Sequence, residues 1–162
     1  MTKLALPTVL AALLVLSTAC GGEDDAGAEP QAAVADFMEA VVDRDSGAAC
    51  ARLTPGGQKK TVDVLGELAK ARGDQCSEVL DVLLKLPNAD EALAEAADLP
   101  DQIRSGEVED GSVEVDVSGD EATVTMTSGQ ATGSVPLRKI GDQWLVDDPT
   151  NIFLGVGNAS QA

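Results

Sequence analysis

The chain predicts an α+β fold in which N-terminal helices pack on a curved antiparallel sheet. Three observations carry that expectation. Between residue 31 and residue 99, apolar side chains recur every three or four positions, the period of a helix with one buried face. Beyond residue 112 the period drops to two, in short runs rich in Val and Thr. Those runs are separated by Ser118-Gly119-Asp120, Ser128-Gly129-Gln130 and Gly141-Asp142-Gln143, which are hairpin turns and so make the strands antiparallel. Helices followed by a block of strands give segregated layers, not a parallel βαβ sheet.

Taken in order, the chain begins with Leu4–Ala19, LALPTVLAALLVLSTA, which carries no charge and follows a start whose only charged side chain is Lys3. A cationic start, an apolar core and a small residue before a break make residues 1–19 a secretory signal peptide. The apolar run contains Pro7, falls short of the roughly 20 residues a spanning helix needs, and is followed by no basic stop-transfer cluster. Leu16-Ser17-Thr18-Ala19-Cys20-Gly21-Gly22 resembles a bacterial lipobox, the segment of small residues ahead of a cysteine that is acylated and becomes the first mature residue. Ser17 departs from it, standing where the pattern has an aliphatic residue. The resemblance implies lipidation of Cys20 and a lipid-anchored place on the extracytoplasmic face of the cell membrane; ordinary cleavage nearby, giving a secreted protein, is the alternative. Two or three acyl chains hold such a protein, because one chain binds only marginally. The rest of residues 20–30 is small and acidic and reads as a flexible tether kept extended by its like charges.

A domain over residues 31–148 follows. Gln31–Arg44 places Val34, Phe37, Met38 and Val41 on one helical face, and Asp45-Ser46-Gly47 ends it. Ala48–Leu53 is a short helical turn carrying Cys50, stopped by Thr54-Pro55-Gly56-Gly57. Gln58–Arg72 reads as a third helix with Val62, Leu65 and Leu68-Ala69 on one side, weakened by Gly66 and closed by Gly73. Gln75–Leu86 has the clearest pattern: Cys76, Val79, Leu80, Leu83 and Leu84 share a face, Asp74 is the expected N-cap, and Pro87 blocks continuation. Asn88–Leu99 is a weaker surface helix ended by Pro100.

The strands come next. Val113, Val115 and Val117 alternate with acidic residues, in a run that extends back toward Glu107. Ala122, Val124 and Met126 alternate with threonines, Ala131–Ile140 turns Val135 and Leu137 to one face, and Trp144–Val146 is the last strand. Pro136 points to an edge position or a bulge, since proline cannot donate to a ladder. The tail, residues 149–162, lacks a period, although Ile152-Phe153-Leu154 can pack back on the sheet. Asn158-Ala159-Ser160 matches a glycosylation sequon, a chance match in a bacterial chain.

Composition narrows the function. The 162 residues include no histidine and no tyrosine, two phenylalanines and one tryptophan, so Leu, Val and Ala must build the core. The formal net charge is −17; removing the leader takes away Lys3 and leaves ten basic against 28 acidic side chains, a net −18. Such a field repels phosphate backbones, which excludes nucleic acid as a partner. With Cys20 assigned to lipid, Cys50 and Cys76 remain as an even pair in an exported chain, the setting in which structural disulfides persist. No CxxC is present, no histidine can complete a mixed metal site, and no metal or cofactor is expected.

At this point the chain resembles the NTF2-like (cystatin-like, cone-shaped) superfamily, more narrowly the small exported actinobacterial lipoproteins that carry such a domain. The phrases that carry the resemblance are Ala32–Arg44, Asp45-Ser46-Gly47-Ala48-Ala49-Cys50, Leu53-Thr54-Pro55, Cys76, Asp120-Glu121-Ala122-Thr123-Val124-Thr125, and Val135-Pro136-Leu137 leading to Gly141-Asp142-Gln143-Trp144. In enzymatic members of that superfamily the mouth of the cone holds an Asp or His base and often a Tyr donor. Without His or Tyr, an isomerase or hydrolase here needs a carboxylate raised by burial. Asp36, Asp43 and Asp116 are conceivable, and each reads more simply as a solvated residue; no catalytic residue is assigned. The expectation is a non-catalytic domain with three possible partners besides the membrane that its lipid would enter. A small apolar ligand would sit in a cone lined by Trp144, Met126 and Phe37. An envelope protein, or a second copy in a homodimer, would instead meet an exposed face of a filled domain.

Overall fold

A computed structural model describes residues 28–129 and 131–156. The leader, Cys20, residues 21–27 of the tether and the Asn158-Ala159-Ser160 sequon lie outside the described residues. Among the described residues the element order is α+β: seven α-helices with a π segment between the third and fourth, a four-stranded antiparallel sheet, and a final helix.

Helix α1 (Ala28–Val42) buries Val34, Phe37, Met38 and Val41, the face that the sequence period marks. It starts three residues earlier than its apolar pattern, inside the stretch assigned to the tether. Pro30 is tolerated because the first turn of a helix has no partner for its N–H groups, and its ring is buried. Helix α2 (Ser46–Ala51) is capped by Asp45, whose Oδ1 accepts the Ala48 N–H at 2.8 Å.

Thr54-Pro55-Gly56-Gly57, expected as a stop, is a start. Thr54 caps α3 (Pro55–Lys60) by accepting the Gly57 N–H, and Pro55 takes the first-turn position that suits it. Gly57 lies against the last strand so closely that a Cβ would meet the Val146 carbonyl oxygen at 2.7 Å. The helix then widens into a π segment (Thr61–Leu65) before α4 (Gly66–Ala69). The wide turn changes the phase of the apolar side: Thr61, Leu65 and Gly66 are buried, Val62 packs on the core edge, and Leu68 points outward, 59% exposed. The helix ends at Lys70, which adopts φ 53°, and not at Gly73.

Helix α5 (Cys76–Leu83) buries Cys76, Val79 and Leu80, with Leu84 at its end and Leu83 half-buried. Its N-cap position is Gln75, not Asp74, and no side chain caps it. The surface helix is shorter than expected, α6 (Ala89–Glu95). Pro100 does not end it. Instead Pro100 opens α7 (Leu99–Ser105), a helix the sequence pattern missed, which buries Ile103 against α1 and closes on Gly106 with φ 79°.

That extra helix displaces the first strand, so β1 (Gly111–Ser118) does not reach back to Glu107. It pairs in sequence order with β2 (Glu121–Ser128), β3 (Ala131–Ile140) and β4 (Gln143–Val146), giving a curved sheet that does not close. Gly119 (φ 64°) and Gly141 (φ 63°) stand first in their two-residue turns, the place where a hairpin demands a positive φ. Register puts Val113, Val115 and Val117 opposite Met126, Val124 and Ala122, and Leu137 opposite both Ala122 and Val146, all on the helix-facing side.

Pro136 sits in an interior strand without a bulge, paired with Thr123. Its carbonyl accepts the Asp147 N–H at 2.9 Å, so its missing donor faces the position where β4 has already ended. The neighbouring strand is short enough to make that spot a local edge. The tail contributes α8 (Thr150–Val156), where Ile152 is buried and the Phe153 ring meets Phe37 edge-on at 6.2 Å.

Candidate interaction surface

The space between the helices and the sheet is filled. Phe37, Leu53, Leu65, Leu80, Ile103, Val124, Val135 and Val146 are each under 2% exposed or nearly so, and Leu137, Met38 and Trp144 close the gaps around them. The three residues expected to line a ligand cone are not brought to one cavity. Phe37 lies at the centre of the core, Met126 is half-buried opposite Val113 and Gly133, and Trp144 is 8% exposed beneath the Lys139 ammonium, 5.7 Å from its ring. That ammonium over an aromatic face is a cation–π contact at the end of the core-facing side of the sheet.

Trp144 does form one wall of an open surface groove of about 630 Å3 between α1, α2 and the β3–β4 turn. Ala33, Ala48 and Ala51 give that groove small walls, and Asp36, Arg52 and Asp142 make it polar. Neither Phe37 nor Met126 reaches it.

Asp36, one of the three candidate bases, lies in this groove between two guanidinium groups, Arg52 at 3.2 Å and Arg104 at 3.1 Å. Arg104 also pairs with Glu39 and with Asp101. Its hydrogen bonds to Glu39 and then Asp36 raise its pKa further, so it is charged at every working pH. This network ties α7 to α1, as does the Gln31 amide, which donates to the Ile103 carbonyl. Asp43 and Asp116, the other two carboxylates, are exposed. Arg104 was invisible to sequence reasoning because its helix was; Gly106 just after a basic last turn was the available signal.

Cys50 and Cys76 are joined, with their sulfurs at bonding distance and their Cα atoms 6.0 Å apart. The bridge clamps α2 to α5 at the side of a second open groove, lined by Gln58, Lys59, Asp63 and Gln75.

Asp148 shapes the approach to α8. Burial on its own pushes its carboxyl up, and the Thr150 hydroxyl, the Thr150 N–H and the Lys60 ammonium together hold it below the usual range. The Thr150 N–H and Lys60 Nζ are each 3.0 Å from its oxygens.

The two edges of the sheet differ. On the β4 side, the Leu53–Val146 bridge closes the edge: Thr54 N–H donates to the Val146 carbonyl and Val146 N–H to the Arg52 carbonyl, both at 2.9 Å. On the β1 side, the Val113 N–H finds the Gly106 carbonyl at 3.2 Å, and beyond it the outward backbone groups of Val115 and Val117 have no partner among the described residues.

Among the described residues no three His, Cys, Asp or Glu side chains gather into a metal site, and no helix is long and apolar enough to cross a membrane. No protein-family model matches the sequence, and no curated protein or solved structure matches it.

Proposed function

We propose that this chain is a lipid-anchored protein of the extracytoplasmic membrane face, held by acylated Cys20, whose NTF2-like domain works without catalysis as a protein-interaction module. The filled interior supports this reading most directly. A ligand cone needs a cavity of several hundred Å3 enclosed by apolar walls. Here Phe37, Val124, Val135 and Leu137 occupy the corresponding space, and the two grooves described above are open to solvent and lined by polar and apolar side chains alike. Function then belongs to the surface.

The chemistry of the carboxylates points the same way. A general base active near neutral pH needs a carboxyl raised by an apolar surrounding. Asp36 is instead held between two arginines, and Asp43 and Asp116 face solvent. The lipid-anchor reading draws on the lipobox at Cys20 and on the Cys50–Cys76 bridge, which suits an oxidising compartment.

The experiment pairs two measurements on the mature protein. Fatty acids and envelope lipid extracts are titrated while Trp144 emission is followed, with no saturable shift expected. A photo-cross-linker is placed at exposed positions in cells, and a discrete higher-mass species is expected. A saturable Trp144 shift together with the absence of any cross-linked partner would replace this reading with a ligand carrier.

A further inference from the structure

We infer that the open edge of β1 is a docking strand for an extended protein segment in which Lys or Arg alternates with apolar residues. The inference rests on the interaction-module reading and names the kind of partner that reading leaves open.

Strand parity determines which backbone groups are on offer. Because the Val113 N–H turns away from β2 to reach Gly106, the N–H and C=O groups of Val115 and Val117 turn away from β2 as well. No described residue pairs with them. An unpaired, regular edge is a template for one more strand. The opposite edge is only four residues long and is already occupied at Val146 by the Arg52 and Thr54 backbone.

Side chains then choose the occupant. On the helix-facing side β1 presents Val113 and Val115, both half-buried, and Val117, 38% exposed. The helices do not finish covering this end of the sheet, so an added strand with apolar residues in alternate positions extends the core over these valines. On the other side β1 presents Glu114 and Asp116, exposed, with only Thr125 and Thr123 across from them and no cation within ion-pairing distance among the described residues. Glu121 nearby is already paired with Arg138.

A second copy is disfavoured by the same residues. Two β1 edges laid antiparallel bring Glu114 and Asp116 of both copies onto one face, and like charges across a strand pair are destabilising. A segment with Lys or Arg at alternate positions replaces that repulsion with cross-strand ion pairs. The net charge of the whole chain, −17, adds long-range attraction for such a partner.

The test uses the full-length chain in non-ionic detergent and two blocked synthetic peptides, one alternating Lys and Val, the other Glu and Val. The Lys/Val peptide should bind and slow hydrogen exchange at the Val115 and Val117 amides by about tenfold or more. The Glu/Val peptide should not. Glu114→Lys with Asp116→Lys should reverse the preference between the peptides. Both positions are exposed, so this variant keeps the fold. Val117→Pro should weaken binding by removing an outward donor that β2 does not use, a position where a strand accepts proline. Protection elsewhere with β1 unchanged would overturn the docking strand and leave the interaction module standing. Binding of neither peptide, or protection of Val115 that grows with protein concentration in the absence of peptide, would overturn it too. A saturable Trp144 shift with fatty acids and no cross-linked partner instead removes the module itself, whatever β1 does.

Discussion

Thr54 and Asp147 lie 93 residues apart and share a hydrogen bond of 2.7 Å, the Thr54 hydroxyl donating to the Asp147 carboxylate. The same hydroxyl oxygen accepts the Gly57 N–H at 2.9 Å and so caps α3. Thr54 is 2% exposed, which makes any loss of either partner expensive. Thr54→Val keeps the shape and removes both bonds, and it should lower the unfolding free energy by about 1–3 kcal/mol in urea titrations. Thr54→Ser should retain most of it. An unchanged midpoint for the Val variant would show the hydroxyl to be incidental.

The Cys50–Cys76 bridge closes a loop with a sequence separation of 26 and clamps α2 to α5. Cys50→Ser with Cys76→Ser should cost about 2–5 kcal/mol of stability, read by thermal or urea melting under non-reducing conditions. In the isolated wild-type protein, alkylation before reduction should leave both cysteines unmodified. Two alkylated thiols would remove the clamp from the account.

Phe37 is fully buried and meets Phe153 edge-on. Phe37→Ala leaves a cavity that the packed elements around it cannot collapse into, and should cost about 3–5 kcal/mol. Phe37→Leu should cost clearly less. If both variants melt with the parent, the centre of the core lies elsewhere.

Asp148 has a lowered pKa in the folded protein, whereas the unfolded chain keeps the ordinary value of about 3.9. The sign follows from linkage. Its stabilisation is fully present above the unfolded value and is lost as pH falls through the folded one. Asp148→Asn should therefore be less stable than the parent at neutral pH, by about 1 kcal/mol, with the two converging in strong acid. A gap that stays constant down to acid pH would assign the effect to packing and not to charge.

Cys20, outside the described residues, is tested chemically. Labelled palmitate should enter the wild-type chain and not Cys20→Ser, and the Ser variant should leave the membrane fraction. Equal incorporation by both would sink the lipobox assignment.

Periodicity made much of this fold legible. Val34, Phe37, Met38 and Val41, then Val79, Leu80 and Leu84, then Ala122, Val124, Val135 and Leu137 lie where their spacing puts them. The misses have local physical causes. Pro100 carries two opposite meanings, the end of one helix or the first turn of the next, and only the tertiary packing of Ile103 decides between them. Leu68 moved to the surface because a π turn adds a residue to the repeat, something no 3.6-residue pattern encodes. Pro136 looked like an edge residue and is one, locally, because β4 stops at Val146. The candidate site was the least legible part. Trp144, Met126 and Phe37 were recognisably apolar, but whether they enclose a space depends on volumes matched in three dimensions.

The route of the chain sets a schedule for its assembly. Each strand pairs with the next in sequence, so the meander can form from neighbours alone. The link from sheet to helices at Leu53–Val146 and the lock of Thr54 on Asp147 need the last strand. Ribosomes deliver the amino end first. The helix pairs α1 with α7 and α2 with α5, the latter under the Cys50–Cys76 bridge, need only the amino-terminal part of the chain, so the arrival of β4 is the late step that fastens the helices to the sheet edge.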